Sequence, residues 1–106
     1  MSAVEDRLAG IGLTVPEVVP PVAAYTPAVR TGSYVYVSGQ LPMVAGAMAA
    51  TGKVGADVTP EQAKELAQAS ALNAIAAVKS VIGDLDKVTR VVKVVGFVAS
   101  VPEFTG

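Results

Sequence analysis

The chain has no cysteine, no histidine and no tryptophan. Without cysteine it carries no disulfide framework, no thiolate nucleophile and no Cys-ligated metal. Without histidine it also lacks Ser-His and Cys-His catalysis and most zinc or copper sites. Charge is sparse as well, at 16% of residues with a net of −1. The eight basic residues are scattered from Arg7 to Lys93, which argues against an electrostatic nucleic-acid binder. Lys87, Arg90 and Lys93 come nearest to a basic cluster, but on a strand Arg90 points away from the other two, as at a solvated strand end. The N-terminus shows no basic region followed by an apolar core, and the most apolar helical stretch, residues 66–82, is interrupted by Gln68, Asn73 and Lys79. A soluble, cytoplasmic protein is the expectation.

Aromatic side chains are scarce, with three Tyr and two Phe, although 52% of the chain is hydrophobic. The apolar mass is therefore small side chains, twenty Val and eighteen Ala. A length of 106 residues suits one domain that buries somewhat over ~60% of the surface of the unfolded chain. That is more apolar content than so small a monomer can hide, so part of it is expected at a subunit interface.

Along the chain, Ser2 and Glu5 have capping-box spacing and Gly10 is a suitable stop, predicting a short helix over residues 2–10. Residues 11–20, with Pro16, Pro20 and several Val, read as an extended connector. A hairpin follows, with strands near 24–31 and 34–39 around Gly32-Ser33, where glycine in the first loop position suits a type II′ turn. In that register each residue faces the one that brings their numbers to a constant sum, so Pro27 lies opposite Ser38 and Tyr25 opposite Gln40. Alternation then gathers Tyr25, Tyr34, Tyr36, Ser38 and Gln40 on one face, with Val35 and Val37 on the other. Tyr25 and Ser38 become diagonal neighbours, roughly 7–8 Å apart at the backbone.

Residues 40–57, with Pro42 and three glycines, read as loop. Gly46 followed by Gly52-Lys53 is not a phosphate loop, because the glycine spacing is one residue too long and Val54 stands where Ser or Thr is needed. Thr59-Pro60-Glu61-Gln62 is a strong helix start, and Gly83 a suitable end. The helix between them spans about 35 Å. Residues 88–99 span about 40 Å as a strand. The matched lengths predict that the helix lies along that strand. Val91, Val92, Val94, Val95, Phe97 and Val98 are apolar on both faces, so the strand is expected to be covered by the helix on one side and by another subunit on the other.

Few groups are left for chemistry. Asp84 and Asp86 have too few companions for a calcium or magnesium site and suit a helix-end turn. Glu61 and Glu65 beside Lys64 are ordinary for a solvated helix face. The hydroxyl-rich face of the hairpin is the one constellation of interest. Tyr25 and Ser38 there can hydrogen-bond a small polar ligand and position a water, or the face can simply meet solvent or an interface.

These same residues carry a resemblance to the RidA (YjgF-type) family. Tyr25 precedes Ser38-Gly39-Gln40-Leu41-Pro42, which resembles the family's Ser-Gly-Gln-x-Pro segment; Thr51-Gly52-Lys53-Val54 with Asp57, then Asn73 and Ala76 in the helix, then residues 91–104 continue the likeness. The resemblance implies an α+β, chorismate-mutase-like sandwich with helices on one face of the sheet, assembled as a homotrimer around a central barrel with sites in the clefts between subunits. It implies one domain over residues 1–106: an N-terminal helix and connector over 1–20, then an incomplete core over 24–106. It places Tyr25 and Ser38 as catalytic hydroxyls and Gly39 as a backbone contact to substrate, with no metal or cofactor. The family's substrate-carboxylate arginine and water-activating glutamate fall after Gly106, with the last helix and strands, so the chain is expected to be truncated and poorly active by itself. Arg30 and Arg90 are not equivalent to that arginine. The activity implied is hydrolysis of enamines and imines such as 2-aminoacrylate to a 2-keto acid and ammonia. The alternatives are a non-catalytic trimeric binder of small carboxylates and, with less support from the charge balance, an endoribonuclease or translation inhibitor.

Overall fold

The structure, a computed structural model, describes residues 2–106. Two helices and two antiparallel hairpins form an α+β fold. Helix α1 (Ala3–Gly10) begins at Ser2, whose Oγ accepts the Glu5 N–H and donates to a Glu5 carboxylate oxygen. It buries none of its residues completely. Residues 12–26 hold no helix or strand, as their prolines predict.

Strands β1 (Ala28–Thr31) and β2 (Tyr34–Val37) pair antiparallel in the expected register, Ala28 with Val37 through Thr31 with Tyr34. Gly32 has φ +57, and positive φ does not extend to Ser33, which is the signature of the type II′ turn. The first strand starts at Ala28 and not near Ala24. The Ser38 N–H still donates to the Pro27 carbonyl at 3.0 Å, but Pro27 has no N–H to return, so the ladder stops there.

Residues 40–57 are more ordered than their composition suggests. Strands β3 (Met43–Val44) and β4 (Ala47–Met48) make a second small hairpin, with Met43 opposite Met48. Its two turn residues, Ala45 and Gly46, both have positive φ. This is a type I′ turn, and an alanine at its first position hides it from a search for Asn-Gly or Asp-Gly.

Helix α2 (Pro60–Ile82) matches its predicted bounds. The Thr59 hydroxyl accepts the Gln62 N–H, the Gln62 side chain accepts the Thr59 N–H, and Gly83 closes the helix at φ +80. One face of α2 packs on β1, β2 and β3, and its end meets a 3-10 turn at Leu85–Lys87. Ala76 and Ala77 are buried there because small side chains let the backbones approach closely, and Val54, Val58 and Leu85 complete the buried apolar set.

The largest departure from expectation is at residues 88–99. They run without helix, turn or bend, and up to Ala99 they pair with no strand. Val94 is 82% exposed and Phe97 95% exposed, so neither face is covered. The predicted cover by the helix is absent. At the end of these residues, Val54 donates to the Ala99 carbonyl at 2.9 Å, and Val101 donates to Val54 at 3.0 Å. Gly55 is required at this junction: its φ is +94, and a Cβ would stand 2.7 Å from a Val101 methyl. The consequence shows in the dimensions. The chain exposes 7602 Å², where a compact monomer of its mass exposes about 5,500 Å². Its radius of gyration is 14.8 Å, against about 13 Å for a compact chain of this length. Among the described residues no helix is long and apolar enough to cross a membrane.

Candidate functional site

The predicted site begins where β2 ends. Tyr34 and Tyr36 project from one face of the strand with ring centroids 6.4 Å apart, while Val35 and Val37 are half-buried on the other. This is the alternation expected of a sheet with one covered face. Ser38 comes next, and its Oγ donates to the Pro27 carbonyl at 3.1 Å. Its backbone N–H uses the same acceptor, so one oxygen takes both donors and fixes the hydroxyl at the mouth of the hairpin. The Gln40 side-chain amide donates to the Ser38 carbonyl at 3.3 Å.

Gly39 is exposed, and a Cβ added to it would meet nothing within 4 Å. Its backbone is open to approach. The φ of Gly39 is not positive, so the turn does not demand glycine there.

Tyr25 is placed differently from the sequence expectation. Because β1 starts at Ala28, strand alternation does not carry Tyr25 onto the tyrosine face. It lies instead in a bend over residues 22–25, 39% exposed, with its N–H donating to Ala23 and its hydroxyl accepting the Val22 N–H at a long 3.4 Å. Ser38 and Tyr25 are thus each held by local backbone groups.

The other candidates take structural roles. Arg30 Nε donates to the Gly32 carbonyl at 3.2 Å, across its own turn. Asp84 accepts the Asp86 N–H. Asp86 in turn accepts the N–H groups of Ala3 and Val4 at 2.8 and 3.0 Å. Those two bonds hold its carboxyl below the usual value. Lys79 lies 3.0 Å from Glu5 and holds that carboxyl below its usual value too. These contacts border a polar cleft of about 440 Å³ between α1 and the end of α2. A second cleft, of about 310 Å³ and mainly apolar, separates α2 from residues 97–99.

Asn73 is the residue that sequence reasoning passed over in functional terms. It is 2% exposed, and its side-chain amide donates to the carbonyls of Leu41 and Met43. The available signal was an asparagine amid alanines in a helix interior, a position where its propensity is poor.

Comparison with known proteins places this geometry in context. A family model described as "YjgF/chorismate mutase-like, putative endoribonuclease" matches residues 5–103. Protein TCP17 of Trypanosoma cruzi is 39% identical over 104 residues, covering 96% of this chain and 64% of its own length. The crystal structure of Atu1372 from Agrobacterium tumefaciens, described as of unknown function, superposes with a TM-score of 0.85 at 47% identity, over 96% of this chain and 61% of that one. The structure described as a "putative endoribonuclease" from Shewanella oneidensis MR-1 superposes with a TM-score of 0.73 at 36% identity, over 77% of this chain and 54% of its own. The chain therefore spans less than two thirds of the length of each of these relatives.

Proposed function

The chain belongs to the YjgF/chorismate mutase-like family, and from that premise we propose that it forms part of a site hydrolysing enamines and imines of the 2-aminoacrylate type to 2-keto acid and ammonia. The observation that carries the reading is the Ser38-Gly39-Gln40 segment, with a fixed hydroxyl beside an open stretch of backbone. In the reaction 2-aminoacrylate tautomerises to its imine, water adds to the imine carbon, and the tetrahedral adduct expels ammonia to leave pyruvate. Ser38 and Tyr25 supply hydroxyls to hydrogen-bond substrate or water, and the Gly39 backbone supplies a contact that a side chain would obstruct. No residue of these 106 matches the family's carboxylate-holding arginine or its water-activating glutamate. A complete pocket needs both, because a guanidinium binds a carboxylate through two parallel bonds that hydroxyls do not replace.

Assembly as a homotrimer, with clefts between subunits as the sites, is part of the same proposal. It is supported by the uncovered apolar segment 88–99 and the excess accessible surface. The test follows pyruvate release from serine in the presence of a serine dehydratase, with and without the protein. Faster release supports the deaminase. Saturable pyruvate binding without acceleration favours the carboxylate binder. The family description favours an endoribonuclease, for which salt-dependent RNA binding and cleavage are the discriminating result; the net charge of −1 weighs against it.

A further inference from the structure

A buried carboxamide is costly unless its hydrogen bonds are made, and Asn73 is the one buried polar residue among those described. Its Nδ2 donates to Leu41 and Met43 at 3.0 Å each. Those carbonyls flank Pro42, which has no N–H with which to anchor the chain. The same stretch is continuous with Ser38-Gly39-Gln40. Around it, Met43 donates to the Leu41 carbonyl at 2.8 Å and Ala49 to the Pro42 carbonyl at 3.0 Å. Every carbonyl from Leu41 to Met43 is thus engaged, and the two-pronged bond from α2 sets both the distance and the rotation of the loop against the helix. A single donor would hold the loop less firmly.

We infer that Asn73 is a positioning residue, which holds the 38–42 loop, and with it the Ser38 hydroxyl and the Gly39 backbone, against α2. Its functional meaning rests on the reading above; its geometric meaning does not. Asn73→Asp tests it, because the protonated acid keeps one donor at the same size, whereas the ionised form has none and faces two carbonyl oxygens. Hydrogen-exchange protection is measured at Met43 and Ala49 from about pH 4 to about pH 8. Val54 and Val101, whose N–H groups bond to Ala99 and Val54, serve as reference amides.

In the wild type the ratio of loop to reference protection stays flat with pH. In Asn73→Asp it falls about tenfold or more on ionisation, as expected for local opening. Should that variant unfold at the higher pH, Asn73→Ala, uncharged and with no donor, is compared with wild type at a single pH, and the same tenfold loss confined to Met43 and Ala49 is expected. Unchanged protection in the folded variants overturns the inference, because the loop then holds itself. Equal loss at loop and reference amides overturns it too, because Asn73 then supports the whole fold and not the loop. Titration of the wild type with pyruvate, followed by the Ser38 and Gly39 amide shifts, reports separately on the pocket: absence of a shift sinks the ligand site and leaves the exchange result standing.

Discussion

Ser38 sends two donors to one carbonyl, its backbone N–H at 3.0 Å and its hydroxyl at 3.1 Å. Removing the hydroxyl in Ser38→Ala leaves the Pro27 oxygen satisfied by the N–H, so no acceptor is orphaned. The stability cost is expected at the low end for a neutral hydrogen bond, about 0.5–1 kcal/mol, read from thermal or urea unfolding. If the proposed site is correct, the loss of activity exceeds that of stability, with pyruvate release slowed about tenfold or more at saturating substrate. An unchanged rate would show that the hydroxyl only closes the hairpin. Local chemistry made Ser38 readable, because a two-residue turn with glycine first fixes which residues face one another. Tyr25 was less readable. Its expected placement needed the strand to continue through Pro27, and a missing N–H ended it.

At the scale of elements, α2 was legible from its capping residues, since Thr59, Pro60, Gln62 and Gly83 each act within a few residues of themselves. The attachment of α1 was not. Its anchors are Asp86, which caps the first turn from 82 or 83 residues away, and Lys79, which pairs with Glu5 from 74 residues away. No pattern in the sequence announces such bonds. Both carboxyls have folded pKa values below their ordinary 3.8 and 4.5, Asp86 through the Ala3 and Val4 N–H groups and Glu5 through Lys79. A lowered pKa means that the folded form binds its proton less readily than the unfolded one. The stabilisation is therefore complete above the ordinary carboxyl values and is lost as pH falls through the lower folded values. Below about pH 4, α1 should detach before the α2 and hairpin core unfolds. Amide shifts of Ala3 and Val4 during an acid titration check this, and Asp86→Asn should show weakened docking already at neutral pH. Ala3 and Val4 shifts that follow the core amides throughout would refute the separate release of α1.

For the molecule as a whole, the surface exceeds that of a compact monomer by about 2,000 Å², and valines of residues 88–99 are part of what lies exposed. Val91, Val92, Val94, Val95 and Val98 are all more than half exposed, and between the Val88 N–H and the Ala99 carbonyl, which are bonded, the segment offers unpaired N–H and C=O groups. Such an edge templates pairing with another chain. Sedimentation equilibrium at micromolar concentration is expected to show association, with the trimer as the predicted end state. A monodisperse monomer would refute it. Val92→Lys and Val95→Lys place charge on opposite faces of the segment. Each is expected to weaken association while leaving the Val54 and Val101 bridge amides protected, since those bonds lie at and after Ala99, past both substituted positions.

The sequence by itself determined what depends on near neighbours: the helix with its caps, the hairpin register with its turn, the absence of thiol and imidazole chemistry, and the family through its Ser-Gly-Gln-x-Pro segment. Those features are encoded over a few residues, where sterics and capping bonds leave little choice. Tertiary structure alone decided which carbonyls Asn73 binds, that Asp86 caps a helix at the other end of the chain, and that α2 does not cover residues 88–99. Each of these joins groups distant in sequence, or fails to join them. Hydrophobicity says that a strand wants cover, but only the arrangement of the other elements says whether cover is there.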